Sequence, residues 1–431
     1  MLNAWMYTMN EFARLASLVV IGIVLLLSFI ALYGKKSALL WLYGILIVVN
    51  DAQFRIRYVM DTSLDYQVLM KIVVWISVFA LGFIYVFRYK LLNLFLKTNI
   101  SLYTWLLFSM VTALYAPKLE FALSSILIIV GVIFITGVIL YFYGLEVLFR
   151  VLLMALLSGL FLSWFYYFAF PDIGRWNDYG VIRMSGIYSP THLGMLSVIT
   201  FFVARLTLRS SVFRLLIMVV ALTTCVFTVS RAPLIAFLLT FLFSDIYRST
   251  RKSTYYGVLK IVLSLIISVI TVILAANTSI YTLQQFSRSG NPEEVLSLTG
   301  RLTLWIWIWD KVKENVLHFL FGYGWGSFRW LSEAQSVWHP THAHNMLFEL
   351  LFSQGFVGLA LFNILLLRIV RNSWKKPLFL FTVLPILIYS LTSSILGQIP
   401  NVLFYILILP IFNFLHRSKR KALCNVRFND C

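Results

Sequence analysis

The sequence predicts an all-α polytopic membrane protein with about 12–13 transmembrane helices and one large periplasmic loop that contains short helices. The composition is strongly apolar, with 61% hydrophobic and only 12% charged residues, whereas soluble domains average about 25% charged residues. Apolar stretches of about 20 residues, the length that crosses a bilayer, recur along the chain. They lack the short alternating pattern of a β-barrel, so helices are expected.

The apolar spans follow one another with short polar connections. Hydropathy predicts them at residues 15–33, 38–50, 68–87, 99–116, 119–143, 148–170, 190–208, 212–229, 231–247, 257–276, 343–370, 378–393 and 400–416. Short loops rich in Lys and Arg, such as those after residues 247 and 370, are expected in the cytoplasm. Segments 171–189 and 277–342 then face the opposite side, which is the periplasm in a bacterial inner membrane.

This topology divides the chain into five regions. These are N-terminal transmembrane helices (1–170), central transmembrane helices with arginine-bearing periplasmic edges (171–276), the large periplasmic loop (277–342), C-terminal transmembrane helices (343–416) and a basic cytoplasmic tail (417–431). The net charge of +19 does not indicate nucleic-acid binding, because the basic residues lie where membrane topology requires them. The 3 cysteines include no CxxC pair, so no cysteine-metal site is expected.

Three arginines stand at the predicted outer edge of the membrane. They are Arg183, Arg231 and Arg301. Charges at membrane depth are costly and commonly functional, and guanidinium groups suit phosphate oxygens. No carboxylate cluster that could hold Mg²⁺ accompanies them. The pattern favours an anionic, phosphate-bearing lipid as substrate, handled without a metal or other cofactor.

Two histidines precede the span at 343–370. His342 and His344 lie before or within its first turn, and Asn345 and Glu349 are about one turn apart. Three interpretations remain open: an interfacial histidine pair, two ligands of a metal site, or a neutral imidazole that acts as a base on a hydroxyl. The metal site is disfavoured because no HExxH motif or obvious carboxylate partner follows.

The large loop is expected to contain a helix from about Gly300 to Leu317. Trp305, Trp309 and Val312 share one face of it at helical spacing. Such tryptophans anchor interfacial helices, and they also suit an aromatic platform for sugar rings. The following "FGYGWGSF", which includes Tyr323, is expected to form a tight turn. It follows a helix and not a strand, which argues against a dinucleotide site.

These motifs resemble those of a known family. "HN" at 344–345, nine residues, then "GFVG" at 355–358 resembles the H-N-x9-G-x-x-G signature of the O-antigen ligase and O-antigen polymerase superfamily. "SR" at 230–231, "GR…W" at 300–305, "FGYGWGSF" and "RMSGIYSPTHLG" at 183–194 are similar to that family in the expected order. The resemblance implies an integral inner-membrane enzyme that transfers glycan from undecaprenyl diphosphate without a metal.

The resemblance also implies roles for residues. His344 would be the essential histidine and base, and Arg231 and Arg301 would contact the diphosphate. The expected substrate-binding set is Arg183, His342, Asn345, Glu349, Trp305 and Tyr323. Three positions depart from the common pattern: His192 stands where many members have Asn, Gln354 where Glu is frequent, and Leu361 where ligases often have Gly, Thr or Tyr.

The expected function is therefore that of a membrane glycosyltransferase of surface-polysaccharide assembly, with the active site facing the periplasm. The Leu361 departure and the charged segment Asn50–Asp65, which could hold a second anionic carrier, favour an O-antigen or exopolysaccharide polymerase. The alternatives are an O-antigen ligase to lipid A-core, a protein O-oligosaccharyltransferase, and a transporter or flippase of lipid-linked sugar. The expected partners are an undecaprenyl-diphosphate-linked oligosaccharide donor, a glycan or lipid acceptor and the lipid bilayer, and no nucleic acid.

Overall fold

A computed structural model describes residues 2–55, 64–98, 100–178, 180–252, 300–332, 340–397 and 399–412. The predicted span 257–276 and the tail 417–431 lie outside the described residues. Of the predicted loop 277–342, the structure describes residues 300–332 and 340–342.

The described chain is built almost entirely of helices. They are α1 (Leu2–Leu32), α2 (Ala38–Val49), α3 (Tyr66–Arg88), α4 (Leu92–Thr98), α5 (Ile100–Ala113), α6 (Leu119–Ala169), α7 (Pro171–Gly174), α8 (Pro190–Thr207), α9 (Ser211–Phe227), α10 (Arg231–Lys252), α11 (Arg301–Lys313), α12 (Val316–Phe321), α13 (Phe328–Leu331), α14 (Met346–Trp374), α15 (Pro377–Ser390), α16 (Val402–Leu407) and a 3₁₀ turn (Leu409–Phe412).

The helices confirm the predicted membrane class. Four stretches are long and apolar enough to cross a bilayer: Glu11–Leu32, Tyr66–Arg88, Leu119–Ala169 and Met346–Trp374. Shorter apolar helices of 10–17 residues accompany them. Every predicted span that lies within the described residues coincides with a helix or part of one. The protein is therefore an all-α polytopic membrane protein.

Helix α6 is divided at Gly144. Its 51 residues would be about 75 Å long as one rod, far more than a hydrocarbon core of about 30 Å. Gly144 has φ 79°, a left-handed value that glycine adopts without a Cβ clash. The break falls between the predicted spans 119–143 and 148–170. The two halves pack with α2, α3, α5 and α8.

A second glycine break, in α14, docks the loop region onto the membrane region. Gly355 has φ 65°, so the carbonyls one turn earlier lose their helical N–H partners. The Phe352 carbonyl accepts the Tyr323 N–H at 2.8 Å, and the Ser353 carbonyl accepts the Gly324 N–H at 3.0 Å. The "FGYGWGSF" turn is thereby fixed to the helix that follows the histidine pair.

A short antiparallel hairpin joins α7 to α8 and was not predicted. Its strands are β1 (Arg175–Asp178) and β2 (Val181–Met184), with Trp176 opposite Arg183. The sequence analysis treated segment 171–189 only as an external connection. The four-residue strands are too short for a clear period-2 hydrophobic pattern.

The predicted helix from Gly300 to Leu317 ends earlier than expected. Helix α11 stops at Lys313, and Asn315 has an extended backbone and accepts the Leu317 N–H at 2.8 Å. Asparagine is a preferred N-cap residue, so it begins a new helix, α12. Within α11, Val312 is fully buried whereas Trp309 is 44% exposed, so they do not share one buried face.

Candidate functional site

A polar cavity of about 510 Å³ lies where several helix ends meet. The ends are the C-termini of α2 and α15 and the N-terminal sides of α3, α8, α14 and α16. Its charged and titratable lining residues are Asp51, Lys71, His192, Arg329, His342 and Tyr389. Consecutive membrane helices alternate in direction, so such a set of ends belongs to one side of the bundle.

Asn50 ties together three of these helix ends. Its side-chain oxygen accepts hydrogen bonds from the Trp75 indole at 3.0 Å and the Tyr405 hydroxyl at 3.2 Å. Its amide donates to Asp51 Oδ1 at 2.8 Å and to the Pro400 carbonyl at 3.2 Å. Asn50 is 4% exposed, and all its polar atoms are used, so it is a buried structural hub of the cavity wall.

Asp51 is an anchored carboxylate beside a histidine. Its Oδ2 accepts the Val402 N–H at 2.8 Å and lies 2.9 Å from His192 Nε2. Burial acts to raise the pKa of Asp51, but His192, the Val402 hydrogen bond and the Lys71 charge together outweigh it and leave the pKa lowered. Asp51 is therefore ionised, and it faces an imidazole.

His342 lines the cavity, and His344 follows it in the same turn. The two rings are 4.3 Å apart between centroids, and Thr341 Oγ1 lies 2.9 Å from His342 Nδ1. His344 has φ 52°, a left-handed backbone conformation that is uncommon outside glycine and that costs about 1–3 kcal/mol. Such a conformation persists only where neighbouring contacts hold it.

Ala343, between the two histidines, is held on both sides. Its N–H donates to Glu349 Oε2 at 2.7 Å, and its carbonyl accepts the Trp305 indole N–H at 2.9 Å. Trp305 also stacks on Phe348, with centroids 5.3 Å apart and planes 7° apart. Trp305 and Glu349, both predicted to bind substrate, thus contact the backbone of the histidine turn and fix its shape.

Asn345 caps helix α14. Its side-chain oxygen accepts the Leu347 N–H at 2.8 Å and the Phe348 N–H at 3.3 Å, as an N-cap residue does. Its amide donates to the Leu391 carbonyl at 2.9 Å. The placement links the histidine turn to the end of α15, and the expected contact of Asn345 with substrate stays a prediction.

Both histidines are held neutral. Burial, and then the Arg301 charge, lower the pKa of His342 from 6.5 to about 4. Burial, His342 and Arg301 lower the pKa of His344 still further. Arg301 acts electrostatically on both rings, so its charge lies within interaction range of the histidine turn.

Arg183 and Arg231 lie at a neighbouring junction. Arg183 is 5% exposed and donates to the Thr228 carbonyl at 3.1 Å, Ser230 Oγ at 2.8 Å and Asp178 Oδ2 at 3.1 Å. It therefore holds the buried connection between α9 and α10. Arg231 begins α10 and is exposed. Its predicted contact with diphosphate stays a prediction.

Tyr323 packs inside the loop region. Its ring stacks on Phe352 at 4.8 Å and lies 4.0 Å from His318. Its hydroxyl donates to the Lys311 carbonyl at 3.0 Å. These contacts join the "FGYGWGSF" turn to α11 and α14, which is a structural use of a residue predicted to bind substrate.

Sequence reasoning missed part of the cavity. It left Lys71, Arg55 and Arg57 unassigned: Lys71 lines the cavity, Arg55 pairs with Asp65, and Arg57 lies outside the described residues. Asp51 and His192 were not predicted as site residues. Two features of the sequence could have indicated them. Asp51 is a charge at the end of the apolar span 38–50, and His192 is one of the departures from the family pattern.

Residues 216–363 match a family model described as O-antigen ligase. The matched segment contains Arg231, Arg301 and the His342–His344 turn. None of the curated proteins matches the chain. The match covers only part of this multi-pass membrane protein, and it supports membership of the O-antigen ligase superfamily and a general function in glycan assembly of the ligase or polymerase type.

Proposed function

We propose that this protein is a membrane glycosyltransferase that transfers glycan from an undecaprenyl-diphosphate carrier on the periplasmic face of the bacterial inner membrane. The observation that carries the proposal is the His342–His344 turn beside Arg301 at a polar cavity between helix ends. The cavity is lined by two cationic groups, Lys71 and Arg329, and by the neutral imidazole of His342.

The cationic residues stabilise the leaving group. As the acceptor oxygen bonds to the anomeric carbon, the bond from that carbon to the diphosphate oxygen breaks and its electron pair leaves with the carrier. Arg301 and Arg231 neutralise the charge that develops on the diphosphate, an electrostatic contribution of several kcal/mol. These guanidinium groups supply the positive charge, so the proposed reaction requires no metal.

His344 contacts the acceptor. A neutral imidazole has a lone pair that accepts a hydrogen bond from an acceptor hydroxyl other than the attacking one. The left-handed backbone of His344 and the two hydrogen bonds to Ala343 present the ring in one orientation. In this proposal Trp305 and Glu349 position the histidine turn.

Within the superfamily, we propose that the protein is a polymerase. A polymerase uses two carrier-linked substrates and therefore needs cationic groups beyond those for one diphosphate. Lys71 and Arg329 line the same cavity as His342 and could serve the second anionic carrier. The second candidate is a ligase to lipid A-core, which the family description favours.

A surface-polysaccharide ladder from a strain that lacks the gene tests the proposal. A polymerase predicts that single-repeat chains remain on lipid A-core while long chains vanish, and that the wild-type gene restores them. A core without any repeat, with polymer accumulating on the carrier, would identify a ligase. Loss of a secreted exopolysaccharide alone would identify a polymerase of that pathway, and unchanged polysaccharides would refute the proposal.

Variants test the assigned residues. His344→Ala and Arg301→Ala should abolish long chains while the protein remains in the membrane. Arg150→Ala is the matched control, because Arg150 is exposed and pairs only locally with Glu146, four residues earlier. A normal ladder from either site variant would count against the role assigned to that residue.

A further inference from the structure

The Asp51–His192 pair is a second imidazole site in the cavity. Asp51 follows α2 and His192 lies in the first turn of α8, so helix packing alone brings them to 2.9 Å between Oδ2 and Nε2. His192 is 7% exposed and lines the cavity with Asp51. A carboxylate so close to one ring nitrogen orients the imidazole.

The other ring nitrogen of His192 is available for a substrate. Nε2 lies 2.9 Å from the Asp51 carboxylate, and because a carboxylate oxygen only accepts, we assign the ring hydrogen of the neutral imidazole to Nε2 and the lone pair to Nδ1. Within the part of the chain that the structure describes, Nδ1 has no hydrogen-bond partner. The arrangement is that of a base with its orienting group, and the general function of the superfamily does not specify it.

Several charged and titratable groups surround the pair. Tyr188 contacts the His192 ring at 5.7 Å between centroids. The groups that interact electrostatically with Asp51 are His192, Lys71, Tyr188, Tyr389 and Tyr405. Two more titratable or charged residues, Arg329 and His342, line the same cavity. Asp51 is the one carboxylate among these groups, so the positive charge of a protonated imidazole is compensated at His192.

The His342–His344 turn has the opposite electrostatics. There the groups that act on the rings are the other imidazole and the Arg301 guanidinium, and both oppose a further positive charge. The Glu349 carboxyl contacts the same turn, but it accepts the Ala343 N–H and not a histidine ring. A proton taken from an acceptor hydroxyl is held more favourably beside a carboxylate than beside a guanidinium. The two imidazoles that line the cavity, His192 and His342, thus differ in their charged neighbours.

We propose that His192 is the group that holds the acceptor proton in the glycan transfer, with Asp51 as its positioning residue and counter-ion. This inference rests on the proposed function. When the acceptor oxygen bonds to the anomeric carbon, the oxygen–hydrogen bond breaks and the proton goes to His192 Nδ1. The electron pair of the broken glycosyl–oxygen bond leaves with the carrier diphosphate, and the imidazolium forms against the Asp51 carboxylate.

The test uses the full-length protein in vesicles. The probe is the undecaprenyl-diphosphate-linked oligosaccharide extracted from a strain that lacks the gene, and the readout is the rate of chain extension between about pH 5 and pH 9, the range in which histidines commonly titrate. The variants are His192→Gln and Asp51→Asn. Asparagine retains an oxygen that can accept the Val402 N–H, so the second variant preserves the local fold.

Asp245→Asn is the matched control. Asp245 also forms an ion pair, at 3.4 Å with Arg205, but Arg205 lies near the opposite end of α8 from His192. The two ends are about 20 Å apart along the helix axis. The control therefore makes the same chemical change in another ion pair of the same helix, away from the cavity, and we expect a normal rate and pH profile.

We expect His192→Gln to slow chain extension by about 10²–10⁴-fold, the usual contribution of a positioned base, and to remove the acidic limb of the rate profile. Asp51→Asn should slow extension less and move the acidic limb to lower pH, because the imidazolium loses its counter-ion. Binding of the donor should persist in both variants.

Each remaining outcome overturns one of the two proposals. If His192→Gln and Asp51→Asn retain the wild-type rate and pH profile while His344→Ala is inactive, the role of the pair is refuted and the proposed function stands. Loss of activity in both variants together with loss of donor binding would assign the pair to substrate binding and would also refute its role in proton transfer. An inactive wild-type protein, together with an unchanged ladder in the deletion strain, would refute the proposed function itself.

Discussion

Replacing Trp305 by phenylalanine would test whether the loop region controls the histidine turn. Trp305 stacks on Phe348 with planes 7° apart, and phenylalanine can retain that stacking. The substitution removes the indole N–H that donates to the Ala343 carbonyl at 2.9 Å. The change therefore deletes one hydrogen bond to the residue between His342 and His344 and preserves an aromatic ring.

The expected effect follows from the cost of the turn. Ala343 is fully buried, and loss of the donor to a buried carbonyl costs about 1–3 kcal/mol. The left-handed backbone of His344 opposes the native turn by a similar amount. A shift of about 1–2 kcal/mol toward a relaxed turn changes the population by a factor of about 5–30, and we expect the rate of glycan transfer to fall by that factor.

The assay is the rate of chain extension in vesicles, with the amount of protein in the membrane measured in parallel. Trp309→Phe is the matched control on the same helix, because Trp309 is 44% exposed and contacts Lys313 and Phe319 rather than the histidine turn. Equal rates for the two variants at equal protein amounts would refute the view that Trp305 positions His344.

Three further predictions use other measurements. Gly186→Ala should lower the free energy of unfolding by about 2–4 kcal/mol, because φ is +59° and the new Cβ would lie 2.1 Å from Ser163 Cβ. Thermal unfolding in detergent measures this loss. Gly180→Ala is the control and should lower the free energy of unfolding less, because Gly180 has φ +83° but open space around it. The melting temperature should fall as the pH is lowered from about 6.5 to about 4, because the pKa of His342 is lowered from 6.5 to about 4 in the folded protein. In that range the unfolded chain binds a proton that the folded protein does not. His342→Gln should weaken this pH dependence, and an unchanged dependence would contradict the assignment. Chain extension should survive EDTA, whereas loss of activity that zinc restores would indicate that His342 and His344 bind a metal.

Local sequence patterns were sufficient for the helices and for half of the site. Hydropathy placed the spans because burial in a bilayer depends on a continuous run of apolar residues. The boundary between spans 119–143 and 148–170 coincides with the break at Gly144, since a helix of that length has to turn. Arg301, His342 and His344 were predicted as site residues, the two histidine rings contact each other, and the Arg301 charge acts on both.

Other features depended on contacts that no local pattern contains. Asn315 begins a new helix where periodicity predicted a continuous one, because one side-chain hydrogen bond to Leu317 outweighs a weak helical pattern. Arg183 was predicted to bind phosphate, yet three of its donor groups contact Thr228, Ser230 and Asp178. Those contacts require the hairpin, whose short strands give no clear signal.

The sequence by itself determined that the chain is a polytopic helical membrane protein, and it located the histidine pair at the start of α14. These properties depend on hydropathy and on residues close together in the chain. Only the tertiary structure decided that Asp51 and His192 form a pair, that Trp305 holds the turn before α14, and that these groups line or adjoin one cavity. Such contacts join residues far apart in sequence, and they arise from the packing of helix ends, which hydropathy does not specify.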